Sequence, residues 1–429
     1  MTDIDSVLNT RYLRRLRGIN LEEQYKKGID CTRCSEYYSY QNVTILPYRI
    51  TGDFYGRGGA INEQGEYIPV SSEKFCTGEY PVADVEKKQE TVCYCGHLIY
   101  QWGHFLMDSV SRLWYCLDHN DEVDKYIFFV EEGNIKSLSG NYKLFYELLG
   151  IWEKIEIIDK PTFYPNVVFP EKGYIGGEVF STNQIRLFDT IAQLAENKNA
   201  LSDLVSKKIY FTRTKVKKAQ KSDLGSEMLD DYFQKNGFEI ISPETFSLVE
   251  LICIIRNADV VASTGGSVCH NMLFAKEGQK LIILERAVLN NDYQIGINIA
   301  KKLITTYIDA NLAIYSVEIG YGPFIIAFRG QLEKFTKDNN WVFPSSKYTS
   351  KRYLDKLYKR YMKQYKRNYS SRWILEDWMI PHIDYLREAY LDSEAFFHDF
   401  IYGIRPYRFI QFFEIRYIKT FIKRIIRRG

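Results

Sequence analysis

The stretch Asn257–Glu285, NADVVASTGGSVCHNMLFAKEGQKLIILE, constrains this chain more than any other. An apolar run of β type leads into a Thr-Gly-Gly-Ser turn. A segment at helical spacing follows over about 267–276, and a second β-type run ends on an acid. That order is one β-α-β unit, with the turn at the C-terminal edge of two parallel strands. Gly265 and Gly266 let the backbone come close to a ligand. A helix starting at Ser267 presents unpaired N–H groups and a positive dipole end, together an anion site. A glycine pair also serves as a mere tight connection. The full G-x-G-x-x-G spacing is absent, so the pattern leaves both readings open.

The rhythm of that unit recurs on both sides of it. KYIFFVEE (125–132), IEIID (155–159) and NVVFPEKGYIGG (166–177) read as strands, with helices over about 141–150 and 183–205. At Lys207 the alternation restarts with KKIYFTRTK, a helix over 226–236, the strand FEIIS, a helix over 243–256 and then the opening stretch. Two Rossmann-like α/β sheets follow from this, with the boundary near 200–207. The expected division is a leader and β-rich part of the first domain (1–90), the first Rossmann-like domain (91–205), the second (206–345), and a helical basic-aromatic extension (346–429).

At 429 residues the chain has room for two cores, and 45% apolar with 26% charged residues is globular composition. The net charge of +3 is too small to imply nucleic acid as a partner. The charge is uneven, however. The last piece, FIYGIRPYRFIQFFEIRYIKTFIKRIIRRG, alternates aromatic or aliphatic residues with Arg and Lys. At helical spacing it has one apolar and one basic face, as an interfacial helix on anionic lipid does; a terminal helix docked on the protein is the other reading. The N-terminus has no apolar segment of signal-peptide type, and no run of 18 apolar residues occurs. Eight scattered cysteines form no disulfide framework, and Cys31-x-x-Cys34 lacks a second pair for zinc; Cys253 and Cys269 read as core thiols.

Three groups of residues have chemistry to offer. His104 opens a helix after Gly103, and Asp108 and Arg112 follow at intervals of four, along one stripe. A His there takes up a proton near neutral pH. Asp108 orients it, serves as base itself or bonds Arg112, and the spacing does not choose; a structural His is the plainer reading. Arg213 ends the first strand of the second half, where an Arg suits a diphosphate or makes a surface ion pair. Glu285 ends a strand about twenty residues after the turn, where an acid meets ribose hydroxyls in Rossmann-like folds. His97 and His270 are weaker candidates.

The runs GHFLMDSVSRLW, IYFTRTK and SEMLDDYFQKNGFEIISPETFSLVELICIIRNADVVASTGGSVCHNMLF resemble, in order and spacing over roughly 95–285, glycosyltransferase family 61, a group associated with bacterial polysaccharides. Its pattern has an H-F-x-x-D…R-L helix, an Arg at a strand end, and H-G-A-x-L-x-N-x-x-F. Thr264 stands here where the family has His, and Ser226 where it has Asn; Asn271 and Phe274 fall in place. The resemblance implies a two-domain GT-B fold and a nucleotide-sugar donor, UDP-linked, with inversion and neither cofactor nor obligatory metal. It implies donor contacts at Arg213, Lys221, Glu244, Gly265, Gly266, Ser267, Asn271 and Glu285. His104 becomes the base or an acceptor binder with Asp108 its partner, and His97 and Arg112 become acceptor contacts. With the tail at 401–429, the expected acceptor is a glycan or lipid-linked glycan of capsule or lipopolysaccharide. The expected place is the cytoplasm, with peripheral contact at the inner face of the cell membrane. A non-catalytic nucleotide- or glycan-binding protein of this fold, and another Rossmann-type nucleotide enzyme, are the alternatives.

Overall fold

The computed structural model describes residues 4–50, 56–198, 206–287, 290–311 and 322–368. It is an α/β structure with two large sheets. The second sheet is wholly parallel, in the order Leu8–Tyr12, Ile304–Asp309, Lys280–Glu285, Val260–Thr264, Lys208–Phe211, Glu239–Ile241. Its central strands are continuous apolar runs because helices cover both faces. The chain leaves Lys208–Phe211 to one side, then returns to its other side at Val260–Thr264. That reversal is a topological switch point, and open α/β sheets hold ligands at the carboxyl ends of the strands flanking it. Phe211 pairs with Ser263, so Arg213 and Gly265 leave the sheet side by side there.

The first sheet is mixed. Ile155–Ile158, Lys125–Phe129, Thr91–His97 and Thr162–Pro170 run parallel, and Tyr37–Arg49 and Arg57–Ile61 add an antiparallel hairpin. Its own reversal lies between Thr91–His97 and Thr162–Pro170. The segment carrying His104 begins just beyond that edge.

One hydrophobic core continues between the sheets. Phe145 meets Phe188 at 6.2 Å, and Phe188 meets Phe274 at 5.5 Å between ring centroids, joining Gly140–Leu148, Thr182–Lys198 and the turn after Gly266. Cys253 and Cys269 are buried.

Four expectations need correction. Residues 1–90 do not all join the first half: Leu8–Tyr12 is an edge strand of the second sheet, and Arg15–Lys27 packs beside it. The helix expected from 243 starts at Leu248; Pro243–Thr245 makes a single 3₁₀ turn, and Ser247 with Glu250 forms a capping box. The segment after the glycine turn is a six-residue 3₁₀ helix, Cys269–Phe274, too short for the dipole expected of it. The segment from Trp102 is not a regular helix either. The Val110 N–H bonds the Phe105 carbonyl five residues back, a π-type turn whose extra residue rotates Arg112 off the stripe of His104 and Asp108. Among the described residues no helix is long and apolar enough to cross a membrane. The tail at 401–429 lies outside them.

A buried ion cluster locks the leader to the second sheet. Arg17 contacts Glu285 and Asp309, each at 2.9 Å, and all three side chains are at most 3% exposed. It also donates to the Ala287 carbonyl and to Asn290. Replacing Arg17 by Met takes from Glu285 its ion pair and leaves Asp309 only the longer 3.9 Å contact with Arg14, a loss of about 3 kcal/mol or more. Thermal unfolding of Arg17→Met is expected to show a Tm lowered by several degrees, with partial recovery in Arg17→Met/Glu285→Gln. An unchanged Tm would show that the cluster contributes nothing.

Candidate active site

The two halves meet where residues 101–104 lie against the turn at Ser267–Asn271. Gln101 Nε2 donates to Ser267 Oγ at 2.5 Å, and Trp102 Nε1 donates to Asn271 Oδ1 at 2.9 Å. Gly103 lies between these contacts. A Cβ at that position would stand 2.8 Å from Ser267 Oγ and 2.9 Å from His270 Nδ1, so only glycine fits. Gln101 Oε1 also accepts from the His104 N–H at 2.8 Å and caps the turn that presents His104.

His104 and Asp108 come together as their spacing predicts. His104 Nδ1 lies 2.6 Å from Asp108 Oδ2, with side-chain exposures of 32% and 11%. A neutral ring bonded to a carboxylate through Nδ1 keeps its proton there, which leaves the Nε2 lone pair for a base. Two further groups complete the cluster. Tyr293, on the helix Asp292–Ala300 of the second half, donates to Asp108 Oδ2 at 2.6 Å. Lys74 Nζ donates to the Tyr293 hydroxyl at 2.6 Å. Phe75 meets the His104 ring edge-on at 5.4 Å.

Across the seam, Arg213 Nε pairs with Asp223 Oδ2 at 2.8 Å, at 15% exposure. Arg286 pairs with the other oxygen of Asp223 at 2.8 Å, and its Nε donates to the Gly265 carbonyl at 2.9 Å. Burial raises the Asp223 carboxyl, but Arg286 and Arg213 outweigh it and hold Asp223 below the usual carboxylate range. Burial brings the Arg286 guanidinium down to about 10. Two guanidinium charges against one carboxylate leave a net positive charge beside the glycine turn, where an anion is favoured. Gly266 adopts φ +122°, a conformation that favours glycine. The Gly265 N–H is engaged with the Leu284 carbonyl at 3.1 Å.

Several expected contacts are not in this site. Arg112 is a core residue: it donates to Glu73 Oε1 at 3.0 Å and to the carbonyls of Pro170, Val70 and Ser72, so its donors are consumed inside the protein. His97 is sandwiched between Tyr48 at 4.9 Å and Phe129 at 5.4 Å, both rings parallel to it within 7°. Glu285 is buried on Arg17 rather than open to a ribose; burial raises its carboxyl, and Arg17 opposes the shift. Asn271 serves the seam, accepting from Trp102 and donating to the Val268 carbonyl. Glu244 is exposed on the Pro243–Thr245 turn. Lys221 lies on Lys217–Ser222, its side chain outside the described set.

Sequence reasoning missed Arg286, Asp223, Tyr293 and Lys74. Arg286 had a signal. It follows Glu285 at the carboxyl end of a strand, and neighbours there point to opposite faces. The rule that selected Glu285 selects Arg286 equally.

The class these features define is an α/β protein with two arginines sharing an aspartate beside a glycine turn at one sheet's switch point, and a His–Asp pair from the other sheet next to that turn. Residues 102–282 match the family model for glycosyltransferase 61, a segment running from the His104 turn into the strand before Glu285. The match to glycosyltransferase family 61 is carried by that segment, and the protein is a glycosyltransferase, a class that uses nucleotide-sugar donors and glycan acceptors in general. No curated protein matches it.

Buried His270 and the largely covered His97 give the fold a pH dependence. Burial lowers His97 and His270 from 6.5 to about 4. Below pH 6.5 the unfolded chain takes up a proton at each while the folded chain does not, so stability falls as the pH drops from 6.5 to about 4 and then levels off. For fully buried His270 the loss is up to about 3 kcal/mol. Tm measured across this window is expected to fall, and His270→Gln is expected to flatten the fall; an equal slope in the variant would contradict the assignment.

Proposed function

We propose that this glycosyltransferase takes its sugar from a UDP-linked donor and passes it, with inversion, to a glycan or lipid-linked acceptor of a cell-surface polysaccharide such as capsule or lipopolysaccharide. The observation that carries this reading is the seam: a His–Asp pair lies against a glycine turn at a switch point, with two arginines behind that turn. In this reading the halves are the two lobes of a GT-B enzyme, and the nucleotide lies on the half after residue 206.

His104 Nε2 takes the proton of the acceptor hydroxyl as that oxygen attacks the anomeric carbon. The bond from that carbon to the diphosphate oxygen breaks, and its electron pair leaves with the diphosphate. Arg213 and Arg286 receive the charge, fixed in advance by Asp223, and this supports a metal-independent transfer without a cofactor. One displacement inverts the anomeric centre. The basic aromatic segment 401–429 supports peripheral contact with the cytoplasmic face of the membrane, where a lipid-linked acceptor is met.

A thermal-shift panel of UDP-, GDP- and CMP-sugars is expected to give a rise of a few degrees with a UDP-sugar, as about 2.7 kcal/mol follows from ligand at a hundredfold its Kd. Arg213→Ala is expected to abolish the rise. An Arg213→Ala protein with the full rise would remove Arg213 from the donor site, and no rise with any sugar would defeat the donor reading. For the tail, deleting 401–429 is expected to release the protein from sedimented membranes. A truncated protein still sedimenting with them would refute the tail's role.

A further inference from the structure

The group that completes the His104–Asp108 pair comes from the other half of the molecule. Asp108 Oδ2 receives two contacts at 2.6 Å, His104 Nδ1 from its own segment and the Tyr293 hydroxyl from the helix Asp292–Ala300. The direction of the second contact follows from donor accounting. A lysine ammonium only donates. Lys74 Nζ, 2.6 Å from the Tyr293 oxygen and 4.1 Å from its ring centroid, therefore makes that oxygen an acceptor. The single hydroxyl proton is then turned toward Asp108, with His104 Nδ1 a longer neighbour at 3.3 Å. Burial first, and Asp108 second, raise the Tyr293 phenol far above its ordinary value, so it stays protonated and remains a donor.

We infer that Tyr293 is a positioning residue for sugar transfer: with Lys74 behind it, it fixes the Asp108 carboxylate and so holds His104 with its proton on Nδ1 and Nε2 open to the acceptor. The chain runs from the Lys74 ammonium through the Tyr293 hydroxyl to Asp108 and the ring. Each link polarises the next, which makes such a chain stiffer than its separate bonds. The loop carrying Lys74 is itself fixed from beneath, since Glu73 binds Arg112 at 3.0 Å and Lys172 at 2.9 Å. His270, Phe75 and Tyr174 pack around the Tyr293 and His104 rings and supply no competing carboxylate. The donor-side half thus supplies a part that the acceptor base needs.

This inference rests on His104 being the base, so the experiment separates the two claims. Nucleoside diphosphate release from UDP- and GDP-sugars is measured for the full-length wild type, His104→Gln, Tyr293→Phe, Asp108→Asn and Tyr293→Phe/Asp108→Asn. Tyr293→Phe is expected to lower kcat by about tenfold, a fraction of what a general base supplies, with the donor KM and Tm unchanged. In the Asp108→Asn background the same change is expected to cost nothing further, because the group it acts on is gone. A structural tyrosine would cost the same in both backgrounds, and that result would overturn the inference. So would wild-type kcat in Tyr293→Phe beside an inactive His104→Gln. Full activity in His104→Gln would instead overturn the base itself. A second readout needs no substrate. In ¹⁵N-histidine-labelled protein, the ring signals that vanish in His104→Gln are expected to shift in Tyr293→Phe. Unmoved signals would reject the positioning role.

Discussion

The absence of a side chain at Gly103 is the constraint on which the site depends. The Gly103 backbone approaches Ser267 and His270 so closely that a single methyl group would be in collision with both. The contact brings the start of one sheet's crossover segment onto the glycine turn of the other. Gln101 and Trp102 fasten the two edges with side-chain hydrogen bonds. Gln101 spends its carbonyl oxygen on the His104 N–H, so one side chain both ties the seam and starts the turn that presents His104. A looser approach would separate His104 from the anion-favouring turn and Tyr293 from Asp108 together. With a hydrophobic core continuous beneath the seam, this arrangement is built in rather than formed by closing one body on another.

The charged residues divide by how completely the protein consumes them. Arg112 has its guanidinium spent on Glu73 and three carbonyls, and Arg17 on two carboxylates, a carbonyl and an amide. Such groups are satisfied inside the fold and have nothing to offer a ligand. They are not idle, since Arg112 holds the loop that carries Lys74 and Phe75 around His104. His104 and Arg213 keep part of their side chains exposed, 32% and 15%, and each is held by a carboxylate through one ring or guanidinium nitrogen. Partial exposure with one fixed contact marks a group held ready, and full burial with every donor used marks a support.

Much of the α/β alternation was legible because a strand covered on both faces must be an apolar run, as in KYIFF, VVAS and LIILE. The His104–Asp108 pair was legible because an i to i+4 interval survives even in this irregular segment. Other features had no local signature. LNTRY, apolar only at its ends, shows little sign of being a strand, because an edge position lets polar residues face water. The π-type turn that diverts Arg112 depends on tertiary packing. Tyr293 sits in a helix buried on nearly every side, where an aromatic residue reads as core, and its contacts with Lys74 and Asp108 come from more than 180 residues away in sequence.

Glu285 and Arg286 show most clearly where sequence stops and geometry begins. Both stand at the carboxyl end of one strand, and a rule that looks for polar residues at such ends cannot separate them. The two-residue period of a strand can, once one face is known. Glu285 turns to the face covered by the leader, where Arg17 neutralises it. Arg286 turns to the switch point, where it grips the Gly265 carbonyl and shares Asp223 with Arg213. Asp223 therefore holds two cations in place while neutralising only one of their charges. The two guanidiniums lie beside the opening turn of the β-α-β unit, and their positive charge stands there in place of the helix dipole that a six-residue 3₁₀ segment cannot supply.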